Sequence, residues 1–296
     1  MKRSNLLTGY IFVIFSALIF GLMPLMAKFL YAEGTNPHTL VFLRNLLSLP
    51  FLLVLSHLSG NKAKVKASVI PQISIIAFMG CCITPLLLFK SYEHIPSGTA
   101  TIFHFIYPAV VIVGEFIFLK NKLRGGHILS MLLCALGIML FYNKNSVLNF
   151  EGSAFALASG VTYAIYVLCL SGFKQKEISG FTFSLYVAVI SSIVMLAVCL
   201  FSGKLALPQS VFGWMLTLLF AVSLNVGAVV LFQRGTFLIG GGRASILSTL
   251  EPVTSVLAGA AVFNEKIGVF TVIGTILVIS ASILIALTDV KAEKEM

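Results

Sequence analysis

Charged side chains are scarce in this chain. Only 10% of its 296 residues are Asp, Glu, Lys or Arg, whereas 58% are hydrophobic. A typical soluble domain carries about 25% charged residues. A soluble protein this apolar would expose large aggregating patches. The composition therefore excludes an ordinary soluble domain and predicts that lipid is the surrounding solvent.

Catalytic and energy-coupling motifs are also missing. No H-E-x-x-H motif, Asp-rich pair or Ser/His/Asp set occurs, which speaks against a membrane enzyme. ATP drives nothing on this chain, because the Walker A pattern G-x-x-x-x-G-K-S/T is absent. We expect no cofactor and no metal. Five cysteines lie in apolar stretches, match neither a zinc site nor a disulfide framework, and are interpreted as apolar filler: Cys81, Cys82, Cys134, Cys169 and Cys199.

Long apolar runs occupy most of the chain. About 20 apolar residues span a bilayer, and ten segments qualify. No segment alternates with period two, which argues against a β-barrel. The run from Thr8 to Leu30 is too long for a signal peptide and is interpreted as a retained first helix. The predicted helices of this all-α integral membrane protein cover residues 8–30, 38–58, 69–90, 97–119, 124–142, 152–172, 180–202, 209–233, 240–263 and 267–287.

The net charge of +10 comes from basic residues in the short connections. Lys and Arg accumulate on the cytoplasmic side of membrane proteins, and they also contact anionic lipid headgroups. With the N-terminus inside, fourteen of these residues fall inside, five fall outside, and Arg44 lies within a span. The bias predicts that both termini are cytoplasmic in a multi-pass protein of a bacterial inner membrane. No nucleic-acid partner is expected.

The second half of the chain repeats the first at an offset of 144 residues. Residues 1–147 and 148–296 are interpreted as two repeats of five helices each. Because five is odd, the second repeat enters the membrane from the opposite side. Inverted repeats are typical of secondary transporters. The matched pairs include Ile95 with Ile239, Gly98 with Gly242, Ala100 with Ala244, Ile102 with Ile246 and Pro108 with Pro252.

A set of short motifs resembles the EamA-type repeat of the drug/metabolite transporter (DMT) superfamily. The first repeat departs from the pattern, with Tyr107-Pro108 and Asn121-Lys122 in place of Glu-Pro and Glu-Lys. The resemblance implies ten helices around a central cavity lined by helices 1, 3, 4, 6, 8 and 9. It also implies export or exchange of amino acids, other metabolites or drugs. The motifs are a glycine-rich entry, Glu251-Pro252, Asn264-Glu265-Lys266, Gly274 in the last helix and Arg44 in the second.

Polar groups at membrane depth are the candidate substrate-binding residues. An ionisable residue inside a span is costly and marks a functional site by default. Glu251 lies about 16 Å into helix 9 and either contacts a substrate amine, carries a coupling proton or bonds to neighbouring helices. Arg44 either holds a substrate carboxylate or forms a packing ion pair. The other candidates, each with a purely structural alternative, are Tyr107, His104, Tyr163, Tyr166 and Asn225.

These observations predict a secondary transporter, driven by an ion or substrate gradient, that exports a small metabolite by alternating access. A cavity with one carboxylate, one histidine and several tyrosines suits an amino acid or a related amine. Lipid flipping or nucleotide-sugar exchange fits nearly as well. The alternatives from other classes are a membrane channel and a non-transporting membrane sensor or scaffold. The expected partners are a small-molecule substrate, a coupling proton and membrane lipid, with the protein acting as a monomer.

Overall fold

A computed structural model describes residues 3–59, 65–95, 97–120, 125–140, 149–175, 178–263 and 268–294. Within these ranges the chain is helical and contains no β-strand, as predicted. Motif residues 121–122 and 264–266 lie outside the described residues.

Eight α-helices belong to the first half of the chain, and seven belong to the second half, within the described ranges. The first eight are α1 (Arg3–Phe20), α2 (Met23–Ala32), α3 (Pro37–Leu58), α4 (Ile70–Ile76), α5 (Thr84–His94), α6 (Ser97–His104), α7 (Tyr107–Phe118) and α8 (Gly125–Leu140). The others are α9 (Phe150–Ser171), α10 (Gly180–Ser202), α11 (Val211–Ala221), α12 (Val230–Ile239), α13 (Gly241–Leu247), α14 (Leu250–Phe263) and α15 (Val269–Lys294).

Six helical stretches among the described residues are long and apolar enough to cross a membrane. Shorter apolar helices include Tyr107–Phe118, Gly125–Gly137 and Val272–Ala281. Large apolar side chains cover the outside, as expected for a surface that faces lipid. The chain is therefore an all-helical, multi-pass membrane protein. The six spans are Asn5–Ala32, Pro37–Leu58, Ala67–His94, Phe150–Ser171, Gly180–Ser202 and Val211–Ile239.

Three of the predicted helices are broken rather than continuous. The first is interrupted between Phe20 and Met23, the fourth between His104 and Tyr107, and the ninth between Leu247 and Leu250. A proline lies in the first turns of each following helix, at positions 24, 108 and 252. Proline lacks a backbone N–H and fits the first turn of a helix better than its interior. The breaks therefore follow from the sequence, although the hydropathy pattern does not reveal them.

Two further helices contain a π-helical segment. The first π-segment is Ala77–Ile83, between α4 and α5, and the second is Val222–Val229, between α11 and α12. At the 144-residue offset the first π-segment falls on residues 221–227, so the two irregularities occupy matching places in the two halves. A π-helical turn leaves the ordinary hydrogen-bond ladder and is frequent at functional sites.

Side-chain caps fix the start of three helices at the predicted outer end. The Asn36 side chain accepts a hydrogen bond from the Thr39 N–H (2.9 Å) at α3. Asn149 does the same for Gly152 N–H (3.1 Å) at α9. Ser210 begins α11 in this way. Such caps satisfy backbone donors that have no partner within the helix.

Two apolar clusters lie on either side of mid-depth. The first includes Ile73, Val111, Val167 and Leu170, on the predicted cytoplasmic half of the helices. The second includes residues such as Leu40 on the outer half. The helix pairs α3–α10 and α8–α15 pack along each other. A polar cavity lies between the two clusters.

Candidate functional site

The cavity lies at mid-depth, where the broken helices and the first π-segment meet. Its volume is about 40 Å³. A cavity needs roughly 10–15 Å³ by this measure to hold one water molecule, so it holds a few waters and must widen to admit a metabolite. Five of the seven predicted site residues line it: Arg44, His104, Tyr163, Tyr166 and Glu251.

Arg44 brings a positive charge into the cavity from α3. The side chain is 3% exposed, and the Cys81 thiol hydrogen-bonds with its guanidinium. Among the described residues no carboxylate pairs with it, and its Nε has no hydrogen-bond partner. The resemblance implied a cavity lined by helices 1, 3, 4, 6, 8 and 9 and left out helix 2. That expectation was wrong, because Arg44 on α3, the second predicted helix, lines the cavity. A buried guanidinium that lacks an anion is chemically suited to bind one.

Glu251 brings the carboxyl group, from the first turn of α14. It follows the break between α13 and α14 and precedes Pro252. Its neighbours are the phenol groups of Tyr92, Tyr107 and Tyr163. Within the described ranges no Lys, Arg or His forms an ion pair with it. A carboxyl group in this position needs a bound cation or a proton, because an isolated buried charge is costly.

Aromatic rings join the acidic and basic parts of the cavity. Tyr107 and Tyr163 meet edge to face with ring centroids 4.6 Å apart, and Tyr163 and Tyr166 are 5.3 Å apart. The ring centroid of His104 lies 5.3 Å from that of Tyr107 and 5.4 Å from that of Tyr163. Its Nδ1 lies 2.8 Å from the Ser159 hydroxyl. Rings in this arrangement stabilise one another and offer a rigid surface to a substrate.

Tyr107 and Asn225 are the two predicted site residues outside the cavity lining. Tyr107 is buried behind Tyr163. The Asn225 amide donates to the Asn45 Oδ1 (3.0 Å) and to the Arg44 carbonyl (3.0 Å), so it supports the helix that carries Arg44. Asn45 donates in turn to the Cys81 carbonyl (3.3 Å). One buried amide therefore connects the two π-segments.

Several lining residues were not predicted. Cys81 was interpreted as filler, yet it lies beside Arg44. Phe20 and Met23 line the cavity on either side of the break in the first helix. Thr84 also lines the cavity, and its hydroxyl meets that of Thr162 at 2.8 Å. Apolar and small residues carry no signal in the sequence that separates lining from packing.

Within the described part of the chain, no three His, Cys, Asp or Glu side chains come together as a metal site. The groups that converge here are a cation, a carboxyl group and hydroxyl-bearing rings. This arrangement suits the binding of a small polar molecule.

An all-helical membrane protein with broken helices around a polar cavity at mid-depth has the architecture of a membrane transporter. The sequence model of the EamA-like transporter family matches residues 7–143 and again 151–287. The chain belongs to this family, which is a family of transporters and not of enzymes.

Relatives of similar length carry transporter names. The chain is 27% identical over 286 residues to "Uncharacterized transporter YcbK" of Bacillus subtilis, covering 90% of this chain and 88% of the relative. It is 25% identical over 287 residues to "Uncharacterized inner membrane transporter YicL" of Salmonella typhimurium, covering 94% and 95%. A crystal structure with 15% identity superposes with a TM-score of 0.78 over 97% of this chain and 100% of the other. This likeness supports the fold.

Proposed function

We propose that this protein is a secondary transporter that exports a small zwitterionic metabolite, such as an amino acid, by alternating access. The observation that carries the proposal is the pairing of Arg44 and Glu251 in one cavity. Neither has a partner of opposite charge among the described residues. A substrate with a carboxylate and an ammonium group supplies both missing partners at once.

The surroundings of each charge support this orientation. Arg44 lies with Cys81 beside the first π-segment, and Glu251 lies beside Tyr107 and Tyr163. The substrate carboxylate would therefore bind toward α3 and its ammonium group toward α14. The side chain of the substrate would pack on the rings of Tyr163 and Tyr166. An apolar or aromatic substrate side chain packs best against such rings. When no substrate is bound, a proton on Glu251 neutralises the carboxyl group and provides coupling to a proton gradient.

The repeated architecture supports alternating access. The two family matches have similar length, and the two π-segments, like the breaks before Pro108 and Pro252, recur at the same offset. Ten helices, divided at about residue 147 into two inverted halves, would give two related states that open to opposite sides. We place both termini in the cytoplasm of a bacterial inner membrane, with the protein acting as a monomer surrounded by lipid. Export is the direction that the family resemblance implies.

A binding screen with matched ligands tests the substrate class. The purified protein is heated with each amino acid of a panel, with the amine that lacks its carboxylate, and with the acid that lacks its amine. The amino acid is expected to raise the melting temperature most, because it alone satisfies both Arg44 and Glu251. Equal stabilisation by the amine or the acid alone would contradict a zwitterionic substrate.

A channel is the alternative from another class. Val111, Val167 and Leu170 are buried together in an apolar cluster in the predicted cytoplasmic half, a packing that disfavours an open polar channel in this conformation. A channel also conducts without exchanging one substrate for another. Exchange of labelled for unlabelled substrate across a vesicle membrane distinguishes the two.

A further inference from the structure

Glu115 lies far from the cavity, on the last turns of α7 at the predicted cytoplasmic end. Its Oε1 accepts hydrogen bonds from the Gly241 N–H and from the Ser171 hydroxyl, each at 2.9 Å. The Gly241 N–H also approaches the Ser171 Oγ at 2.6 Å. One carboxylate therefore joins three helix ends: α7, the end of α9 and the start of α13. We call Glu115, Ser171 and Gly241 the latch.

Glycine is required where the carboxylate approaches the start of α13. A Cβ atom at position 241 would lie 2.4 Å from the Ser171 Oγ and 3.0 Å from the Glu115 Oε1. At position 242 it would lie 2.9 Å from the Glu115 Oε2. Gly240 has a φ of +86°, which side chains rarely adopt. The three consecutive glycines thus allow a close contact that any other residue would disturb.

The latch lies on the route from the cavity to the predicted cytoplasmic end. Val167 is one turn from Ser171 on α9, and Ile112 is about one turn from Glu115 on α7. Both are buried in the apolar cluster that fills this side. Helix α13 also leads directly to the break that precedes Glu251. Opening the cavity toward this end requires the three helix ends to separate, which breaks the latch.

The latch residues are not repeated at the matching positions of the other half, and at the predicted outer end a different carboxylate, Glu33, accepts a hydrogen bond from the Ser210 hydroxyl. At the 144-residue offset, Glu115, Ser171 and Gly241 correspond to Gly259, Ala27 and Ser97. None of these three side chains is a carboxylate. Two inverted repeats by themselves give two states of nearly equal free energy. The latch adds charge-assisted hydrogen bonds to the closed cytoplasmic end, at positions whose counterparts in the other half cannot form them.

We infer that Glu115 is a gating residue that holds the cytoplasmic end of the transporter closed in the absence of substrate. The inference rests on the proposed alternating access. Transport then requires substrate binding to compensate for the loss of the latch. Removing the charge of Glu115 weakens the charge-assisted hydrogen bonds of the latch. The ratio of protein open to the cytoplasm to protein closed on that side then rises about tenfold.

The native Cys81 thiol reports on this population. It lines the cavity, so a charged, membrane-impermeant methanethiosulfonate reagent reaches it only through an open end. Inside-out and right-side-out vesicles expose the two ends separately. A background with Cys81 as its single cysteine is used, and the further change Cys81→Ala gives the blank. The background replaces four residues by alanine: Cys82, Cys134, Cys169 and Cys199.

In this background Glu115→Gln is expected to increase the labelling rate from the cytoplasmic side about tenfold, and to leave unchanged or decrease the rate from the outer side. Ser171→Ala should change the rates in the same directions by a smaller factor. The matched control is Glu93→Gln, which removes an exposed carboxylate near the opposite end of the bundle and should change neither rate.

Two results would overturn the inference. One is a cytoplasmic labelling rate in Glu115→Gln within twofold of the parent. The other is an equal increase from both sides, which indicates a loosened fold and not a shifted gate. The two proposals can fail separately. If the protein binds none of the ligands in the panel but Glu115→Gln still raises labelling from the cytoplasmic side alone, the proposed substrate is contradicted and the gating role of Glu115 is supported.

Discussion

Arg44 and Glu251 are ionisable residues at membrane depth, and each raises the free energy of inserting its helix into the membrane. An arginine at the centre of a membrane helix costs about 2.5 to 3.5 kcal/mol for insertion, and a carboxylate costs a similar amount. Structural charges usually reduce this cost by pairing with each other. Here the two lie in one cavity without a partner of opposite charge among the described residues. The proposed binding of a complementary substrate would account for this cost.

Arg44→Gln is expected to weaken the binding of the preferred amino acid. A hydrogen bond to a charged group contributes about 1.5 to 3 kcal/mol, so affinity should fall about 10- to 100-fold. The matching amine, which has no carboxylate, should bind the variant and the parent equally. Titration calorimetry on the pure protein measures both affinities. A parallel loss for the amine would mean that Arg44 supports the fold and does not contact the substrate carboxylate.

Glu251→Gln is expected to remove the pH dependence of transport. The parent gains or loses a proton at this position as pH changes, whereas an amide cannot. Uptake into proteoliposomes across a range of pH should therefore vary for the parent and stay flat for the variant. Glu151→Gln, at the exposed start of α9, is the matched control and should behave like the parent. A pH profile in Glu251→Gln identical to that of the parent excludes Glu251 as the proton carrier.

The sequence predicts the charged part of the cavity better than its other parts. Arg44 and Glu251 are rare residue types at membrane depth, so they stand out. Cys81 and Phe20 resemble the many apolar residues around them, and only the packing shows that they line the cavity. Asn225 was predicted to bind substrate. In the structure its amide donates a hydrogen bond to Asn45 from the second π-segment, and its contact with substrate stays a prediction.

Among the secondary-structure elements, the irregular helices determine where the cavity lies. Broken helices end within the membrane before prolines, and each π-segment interrupts the regular ladder of hydrogen bonds. Freed backbone groups at this depth must find partners, because lipid offers none. The amide of Asn45 serves the first π-segment through the Cys81 carbonyl and binds the Asn225 amide of the second. These hydrogen bonds stabilise the irregular backbone of the helices next to the cavity.

Gly80→Ala is expected to disturb the cavity, whereas Gly227→Ala is not. A Cβ at position 80 would lie 2.1 Å from the Tyr166 ring, which the surrounding core holds in place. At position 227 the closest atom is the end of the Ile19 side chain at 3.3 Å, which can move. The first variant should lose about 1 to 3 kcal/mol of stability and weaken ligand binding. Melting temperatures and ligand shifts of the two variants, measured together, check this. Equal tolerance of both substitutions would contradict the described packing of Tyr166.

For the molecule as a whole, hydropathy predicts where helices lie but not how they are interrupted. The predicted segments 38–58 and 180–202 agree closely with Pro37–Leu58 and Gly180–Ser202. The segments 8–30, 97–119 and 240–263 each correspond to two helices. An apolar count averages over about 20 residues and cannot register a break of two. The 144-residue offset pairs the two π-segments and the breaks before Pro108 and Pro252, whereas the break between α1 and α2 has no counterpart in the continuous α9.

The orientation in the membrane is a prediction from the distribution of Lys and Arg. A fluorescent protein fused after Met296 should be fluorescent, because it folds in the cytoplasm. A periplasmic phosphatase fused at the same position should be inactive. The opposite pattern would place the C-terminus outside, and the latch would then lie at the outer end. Fusions at Lys204, in a predicted outer loop, should show the reverse pattern and serve as the control.

Counterflow in proteoliposomes tests the central claim most directly, namely that the cavity between Arg44 and Glu251 is the substrate site of an alternating-access transporter. Vesicles are loaded with the best-binding unlabelled amino acid and diluted into a trace of the labelled compound. The protein should drive a transient accumulation of label above equilibrium, and Arg44→Gln should abolish it. Label that only equilibrates, or an overshoot of equal size in Arg44→Gln, would contradict the account.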